Sequence, residues 1–314
     1  MAGRGRSNPG TGFGAPRYPG AFLLAFREAA TRVGLRVDAF RKDLAHCLDE
    51  NGKLFSVGVE NIFRRVRREE RENWLEVIAE FLQTIREAES SGGQPPGLAD
   101  SADRLLLRLG HPMKLGKSED AVWHWPIDNT DLVVNLVIDF SNRMCYVTES
   151  MVHASEKSGE YWLTIARRNL ESRTPPDCLD EIHGESGLCC CNVGDAYDSS
   201  RALLAEQLLP SAGEHGVLVI LPGRDELLVL PVALQAIPYL HVLKAFAERD
   251  FKSAPYPISD QVYWIRDGTW RIIPIELRGK EVVVQPPMEF IEVLNRLAPP
   301  TESSEHDQDS EDAD

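Results

Sequence analysis

Positive charge is in short supply in this 314-residue chain: 34 Lys and Arg stand against 49 Asp and Glu, a formal net charge of −15. Broad nucleic-acid binding relies on clustered Lys and Arg to neutralise phosphates, and this balance argues against it. Apolar length is missing at the start. The first twenty residues, MAGRGRSNPGTGFGAPRYPG, hold no apolar stretch, and the run AFLLAF that follows is cut off after six residues by Arg27 and Glu28. That is too short for the apolar region of a signal peptide or for a membrane span, so a cytoplasmic chain with no membrane association is expected. The six cysteines (Cys47, Cys145, Cys178, Cys189, Cys190, Cys191) fall into no paired framework, and reduced thiols are expected. Also lacking are a P-loop, a GxSxG elbow, an HExxH helix, a dinucleotide fingerprint and any internal repeat.

What is present is an ordinary globular composition. Hydrophobic residues make up 43%, enough for a substantial core in a chain of this length. The acidity is concentrated at the end. The last fourteen residues, TESSEHDQDSEDAD, carry seven carboxylates and no Lys or Arg, and without them the net charge is −8. Residues 1–18 and 301–314 are expected to be disordered, since neither stretch offers enough apolar surface to offset the entropy of ordering.

Between these ends the patterning divides the chain. Residues 19–88 read as a small α/β unit. AFLLAFREAATRVG sets Phe22, Leu23, Phe26, Ala29 and Ala30 on one helical stripe ending at Gly34. Short strands in LRVDAF and LAHCLDENGKLFSVGV follow, with Asn51-Gly52 as a hairpin turn. A single long helix over 59–88 is then predicted from Ile62, Val66, Leu75, Ile78, Phe81, Leu82 and Ile85. ESSGGQPPGLADSAD, residues 89–103, reads as a linker. Residues 104–300 form the body, with strands in RLLLRLG, VWHWPI, DLVVNLVIDF, MCYVTE, GLCCCNV, GVLVILP, ELLVLPV, QVYWIR, WRIIPI and EVVVQ. Helices are predicted over 159–171, across AYDSSRALLAEQL, and over 237–249 and 287–297. Hairpins outnumber β-helix-β crossovers, so the fold class is α+β: a mixed, largely antiparallel sheet with packed helices, plus the small N-terminal α/β unit.

Several segments of the body occur in a recognisable order: DLVVNLVIDFSNRMCYVTESMV, ARRNL, GDAYDSSRALLAEQLL and VLVILPGRDELLVL. From about Leu132 to Arg266 the chain resembles the YtpQ-like bacterial family, most specifically in Gly194-Asp195-Ala196-Tyr197-Asp198 with Ser200-Arg201, followed by Arg224-Asp225. FSVGVENIFRR extends the resemblance faintly toward the N-terminus. This family is a domain of unknown function, so the resemblance implies a fold and no chemistry. The triple cysteine is not among the features that resemble it.

The densest chemistry lies in CCCNVGDAYDSSR, residues 189–201. On a strand, Cys189 and Cys191 face one way and Cys190 the other, which suits small buried hydrophobes. A zinc site from Cys178, His183, Cys189 and Cys191 would have a spacing that fits tetrahedral zinc poorly. A thiolate nucleophile would sit among Asp180, Glu181 and Glu185, whose charges raise a thiol pKa. Asp195 and Asp198 occupy the N-cap and capping-box positions of the predicted helix. The functional alternative has Asp195, Asp198 and Asp225 converging on a divalent cation, with Arg201 or Arg224 holding a phosphate. Pro222-Gly223-Arg224-Asp225 reads as a β-turn, and Arg224 is placed to pair with Asp195 or Asp198.

Elsewhere, FRRVRREERENW sets Arg64, Arg65, Arg67, Arg68 and Arg71 against Glu69, Glu70 and Glu72, the pattern of a solvated helix face. A nucleic-acid contact, or the acidic tail lying on this helix, is the other use for it. Trp123 and Trp125 alternate onto one face with His124 opposite, as in core packing. PIELRGK offers Glu276 but Arg278 where a nuclease motif needs lysine.

The expected function is therefore a non-catalytic binding or interaction module for a protein or small-molecule partner, with no cofactor. Its surface is expected at Asp195, Tyr197, Asp198, Arg201, Arg224 and Asp225. The alternative is a metal-dependent hydrolase or phosphotransfer enzyme built on Asp195, Asp198 and Asp225.

Overall fold

The computed structural model describes residues 18–41, 44–67, 69–90, 97–113, 120–140, 143–184, 186–209, 214–254, 256–278 and 281–298. The fold is α+β and divides into two units, residues 1–104 with 138–145, and residues 105–137 with 146–314. Among the described residues no helix is long and apolar enough to cross a membrane.

The first unit begins with α1 (Gly20–Arg32). Phe22, Phe26, Ala29 and Ala30 recur at helical spacing and are all fully buried. The helix stops where Gly34 turns left-handed at φ 75°: Leu35 N–H bonds to Ala30 C=O and Gly34 N–H to Thr31 C=O, closing the last turn. Three antiparallel strands follow in the order β1-β2-β3: β1 (Arg36–Arg41), β2 (Leu44–Leu48) and β3 (Leu54–Gly58). The β2–β3 connection is held by Asp49, whose Oδ1 accepts from the Asn51 and Lys53 amides, with Gly52 at φ 76°.

The long helix expected over 59–88 is two helices, α2 (Glu60–Val66) and α3 (Trp74–Ser90), joined through a single 3₁₀ turn at Arg71–Asn73. Between Val66 and Trp74 the sequence offers no apolar side chain, so a helix continued through it would bury nothing. The arginines there lie over aromatic rings instead, Arg67 on Phe63 and Arg71 on Trp74. Arg64 pairs with Glu60 at 2.8 Å and Arg65 with Glu80 at 4.0 Å, while Arg68 lies outside the described residues.

Tyr18, placed in the disordered stretch by composition, is instead buried against Phe22 and Phe63 and donates to Glu60. One aromatic ring with a partner for its hydroxyl is enough to anchor it. The rest of 1–18, and 301–314, lie outside the described residues. Of the linker expected at 89–103, residues 91–96 lie outside the described residues. α3 runs to Ser90, and Ala99–Arg104 coil into a 3₁₀ helix with Leu98 and Ser101 buried.

The second unit is built on a six-stranded sheet, ordered β13-β12-β10-β11-β9-β8, in which each neighbouring pair is antiparallel. A second sheet has the order β4-β6-β5, with β7 paired to β6. In chain order the elements after residue 104, of which the end of β6 and most of β7 fall in residues 138–145 of the first unit, are β4 (Leu105–Gly110), β5 (His124–Pro126), β6 (Val133–Phe140), β7 (Arg143–Tyr146), α4 (Glu149–Ala154), α5 (Gly159–Arg173), β8 (Leu179–His183) and β9 (Leu188–Cys191). After a 3₁₀ helix at Ser199–Leu204 come α6 (Ala205–Leu208), β10 (Val217–Ile220), β11 (Leu227–Pro231), α7 (Leu240–Ser253), β12 (Val262–Arg266), β13 (Thr269–Ile273), the hairpin β14 (Ile275–Arg278) with β15 (Glu281–Val284), and α8 (Met288–Leu297).

The central strand β10 is buried on both faces and pairs β11 and β12, which explains the unbroken apolar run in VLVI. β8 was not expected. Its Asp180 and Glu181 break the apolar pattern, and charged side chains are tolerated there because β8 is an edge strand. The second tryptophan departs from core packing: Trp123 is buried, while Trp125, 6.4 Å away between ring centroids, is 41% exposed.

Candidate functional site

The helix expected across AYDSSRALLAEQL is a 3₁₀ helix over Ser199–Leu204 followed by the four-residue α6. The tighter winding has a local cause and a consequence. In a 3₁₀ helix, side chains three apart eclipse each other, and the Arg201 amide bonds to the Asp198 carbonyl at 3.1 Å. Arg201 is thereby stacked directly beside Asp198, its Nη1 donating to Asp198 Oδ1 at 3.1 Å.

Neither aspartate caps the helix in the way the spacing suggested. Asp198 occupies the position before Ser199, yet its side chain makes no forward capping bond. It turns back, accepting from the Val193 amide on Oδ1 and the Gly194 amide on Oδ2, both at 3.0 Å, with the Cys191 thiol 3.5 Å from Oδ1. Asp195 Oδ1 accepts from the Tyr197 amide two residues on, a local turn. The reason is Arg201. Its guanidinium is fully buried, and it reaches both Asp195 oxygens at 2.8 Å, one from each Nη, while Nε donates to Thr174 Oγ1 at 3.2 Å. A charge buried that deeply is tolerable only with such pairing. Arg173 completes the set, with Nε 3.3 Å from Asp195 Oδ2 and its guanidinium over the Tyr197 ring.

Two guanidinium and two carboxylate charges thus cancel within the cluster. Burial works to raise the Asp195 carboxyl, but the hydrogen bonds and charge of Arg201, with the Tyr197 amide and Arg173, outweigh it and hold Asp195 below its ordinary value. For Asp198 burial wins: with the neighbouring Asp195 charge it leaves that carboxyl above its ordinary value, despite the two amides and Arg201. Burial opposes the Arg201 charge, and Asp195 more than restores it.

Arg224 and Asp225 stand differently from expectation. The turn is Gly223–Glu226, closed by the Glu226 amide on the Gly223 carbonyl, one residue later than the predicted Pro222–Asp225. Arg224 pairs with its own neighbour: Nε lies 3.2 Å from each Asp225 oxygen and Nη2 3.1 Å from Oδ2, while the guanidinium sits 3.9 Å from the Tyr256 ring centroid. Among the described residues no ion pair is seen from it to Asp195 or Asp198. A backbone bond joins the two groups, the Ser199 amide donating to the Arg224 carbonyl at 3.1 Å. Of the three acids proposed for a metal, Asp195 and Asp198 are thus engaged by Arg201 and Asp225 by Arg224. Among the described residues no three His, Cys, Asp or Glu side chains are grouped to hold a metal ion.

Of the six residues expected on a recognition surface, Tyr197, Asp198, Arg201 and Arg224 are buried, and Asp195 and Asp225 are partly so. What reaches the outside is the loop they brace. Asn192 is exposed, Val193 to Ala196 are half-buried, and the Arg173 side chain is 42% exposed. Within this loop Gly194 and Ala196 both have positive φ, at 71° and 74°. For alanine that conformation is strained. Sequence reasoning missed Thr174, Arg173 and Ala196; none of them carries a local signal for its role.

The cysteines behave as small hydrophobes. Cys189 and Cys191 are buried, Cys190 faces the other way and is half-buried, and none of the six cysteines is in a disulfide. Burial raises the thiols of Cys189, Cys190 and Cys191, with Glu181 adding to the effect at Cys189 and Asp180 at Cys190.

Comparison of the chain with family models, with curated proteins and with solved structures finds no match.

Proposed function

We propose that this protein acts by binding a partner and not by catalysis, with the braced loop Asn192–Ala196 and the adjoining Arg173 as the recognition element. The observation behind this reading is a strained, non-glycine turn clamped from beneath by two carboxylates and a buried arginine. Strain of this kind persists when the surroundings over-determine it, and a loop so held presents its polar groups in one fixed geometry at little entropic cost on binding. The cluster is charge-neutral, and its acids are occupied, so no carboxylate is poised as a base or metal ligand. The resemblance to the YtpQ-like family is compatible with this reading and adds no activity to it.

Hydrogen exchange tests the rigidity: the Val193, Gly194 and Tyr197 amides should exchange slowly even though they lie outside any strand or helix. Metal analysis of the purified protein, with thermal-shift screening against nucleotides and divalent cations, tests the catalytic alternative. A stoichiometric metal, or a cation-dependent rise in melting temperature abolished by Asp195→Asn, overturns the binding reading. Rapid exchange at all three amides overturns the braced-loop element.

A further inference from the structure

β8 is an outermost strand of the six-stranded sheet, and among the described residues no strand is hydrogen-bonded to its outer side. An open edge presents unpaired N–H and C=O groups, a template on which another extended chain adds as a further strand. Asp180 is the register partner of Cys190 and Glu181 of Cys189, so the two acids stand on opposite faces of the sheet. Both are exposed, as is Asp177 just before the strand, and Ile182, at the register shift that follows, is 50% exposed. On the preceding helix Glu171 is paired with Arg167, and at its end Arg173 with Asp195. Asp177, Asp180 and Glu181 have no such cationic partner among the described residues. The Leu179 end of β8 adjoins the braced loop, because Leu179 is the register partner of Cys191, the residue before Asn192.

We infer, resting on the binding reading above, that β8 takes an extended basic segment of a partner protein by strand addition. Charge decides between the possible occupants. A second copy of β8 laid alongside would bring like carboxylates together, and a nucleic acid would be repelled by the same groups. A strand carrying Lys or Arg instead sets a cation beside a carboxylate on each face of the sheet. Main-chain hydrogen bonds to the open edge supply the affinity, and Asp180 and Glu181 select the sign of the partner. An apolar side chain between the cations covers Ile182, and the end of the added strand that lies beside Leu179 reaches the 192–196 loop.

The test titrates the full chain into a short fluorescein-labelled peptide that alternates lysine and threonine around a central valine, read by anisotropy at low salt. The peptide should bind, and its glutamate-for-lysine counterpart should not. Asp180→Lys with Glu181→Lys should weaken binding roughly tenfold, since two favourable cross-strand pairs become repulsive. Methylating alternate backbone nitrogens of the peptide, which keeps its charge and removes ladder donors, should abolish binding. Hydrogen exchange should show β8 amides gaining protection when the peptide is present. Absence of binding at low salt overturns strand addition, as does equal affinity for the methylated peptide or for the charge-reversed chain. A free chain that sediments as a dimer with β8 already protected also overturns it, because a second copy then holds the edge. The two peptides on the wild-type chain decide the matter even if the variant fails to fold. Failed binding with the Val193, Gly194 and Tyr197 amides still slow overturns strand addition and leaves the braced loop standing; binding with those amides fast does the reverse.

Discussion

Replacing Arg201 by methionine removes the guanidinium while keeping a chain of similar length in a fully buried position. Four hydrogen bonds disappear: two to Asp195 and one each to Asp198 and Thr174. The carboxylates are unequally affected. Asp195 keeps Arg173 and the Tyr197 amide, but Asp198 keeps only amides and a thiol and no positive charge. Breaking a buried ion pair from one side typically costs about 3–5 kcal/mol, because the orphaned charge stays buried. An exposed helix pair such as Arg32–Glu28 contributes about 0–1 kcal/mol, so Arg32→Ala serves as the control. Against a total stability of roughly 5–15 kcal/mol, the loss of Arg201 consumes a large share. Urea unfolding followed by tryptophan fluorescence reads the right part of the molecule, since Trp123, Trp125, Trp162, Trp264 and Trp270 all lie in the second unit. The penalty should shrink in an Asp195→Asn/Asp198→Asn background, where no carboxylate is left unpaired. An Arg201→Met midpoint within about 1 kcal/mol of wild type, at unchanged slope, refutes the claim that this cluster is the keystone of the loop.

Two further outcomes follow from the same structure. Asp195 has its folded pKa held below the unfolded value, so its contribution to stability is present above the unfolded carboxyl pKa of about 3.9 and is lost as pH falls through the folded one. Asp195→Asn should therefore flatten the acid limb of the stability curve in a pH series of melts; an unchanged acid limb contradicts the pairing. Gly159→Ala should destabilise the second unit by about 1–3 kcal/mol, because the added carbon falls 2.0 Å from the Trp123 ring; a melt equal to wild type shows that the ring has room to move.

Much of the fold was legible because its signals are local. The stripe Phe22, Phe26, Ala29, Ala30 and the stop at Gly34 specify α1 through helical period and backbone freedom. Asp49 and Gly52 specify the β2–β3 turn within five residues of chain. Where local signals misled, burial decided. The arginine-rich stretch after Val66 has helical propensity but nothing to pack, so the predicted long helix breaks there. β8 has charges in the wrong places for a central strand and forms at an edge, a position no single segment can reveal.

The candidate site divides along the same line. Spacing alone kept Asp195, Asp198 and Arg201 near one another, since residues three and six apart along a short, tightly wound segment span at most about two turns. The direction in which the carboxylates face was decided by tertiary structure. A short helix start offers an aspartate two sets of amides, those ahead of it and those behind. A guanidinium buried beside Thr174, contributed from the end of α5, required both acids as counter-charges and turned them inward. Burial is a property of the whole fold, and the strength of every charge interaction here depends on it. For that reason the residues of this site could be named from sequence, while their work of bracing a loop from within could not.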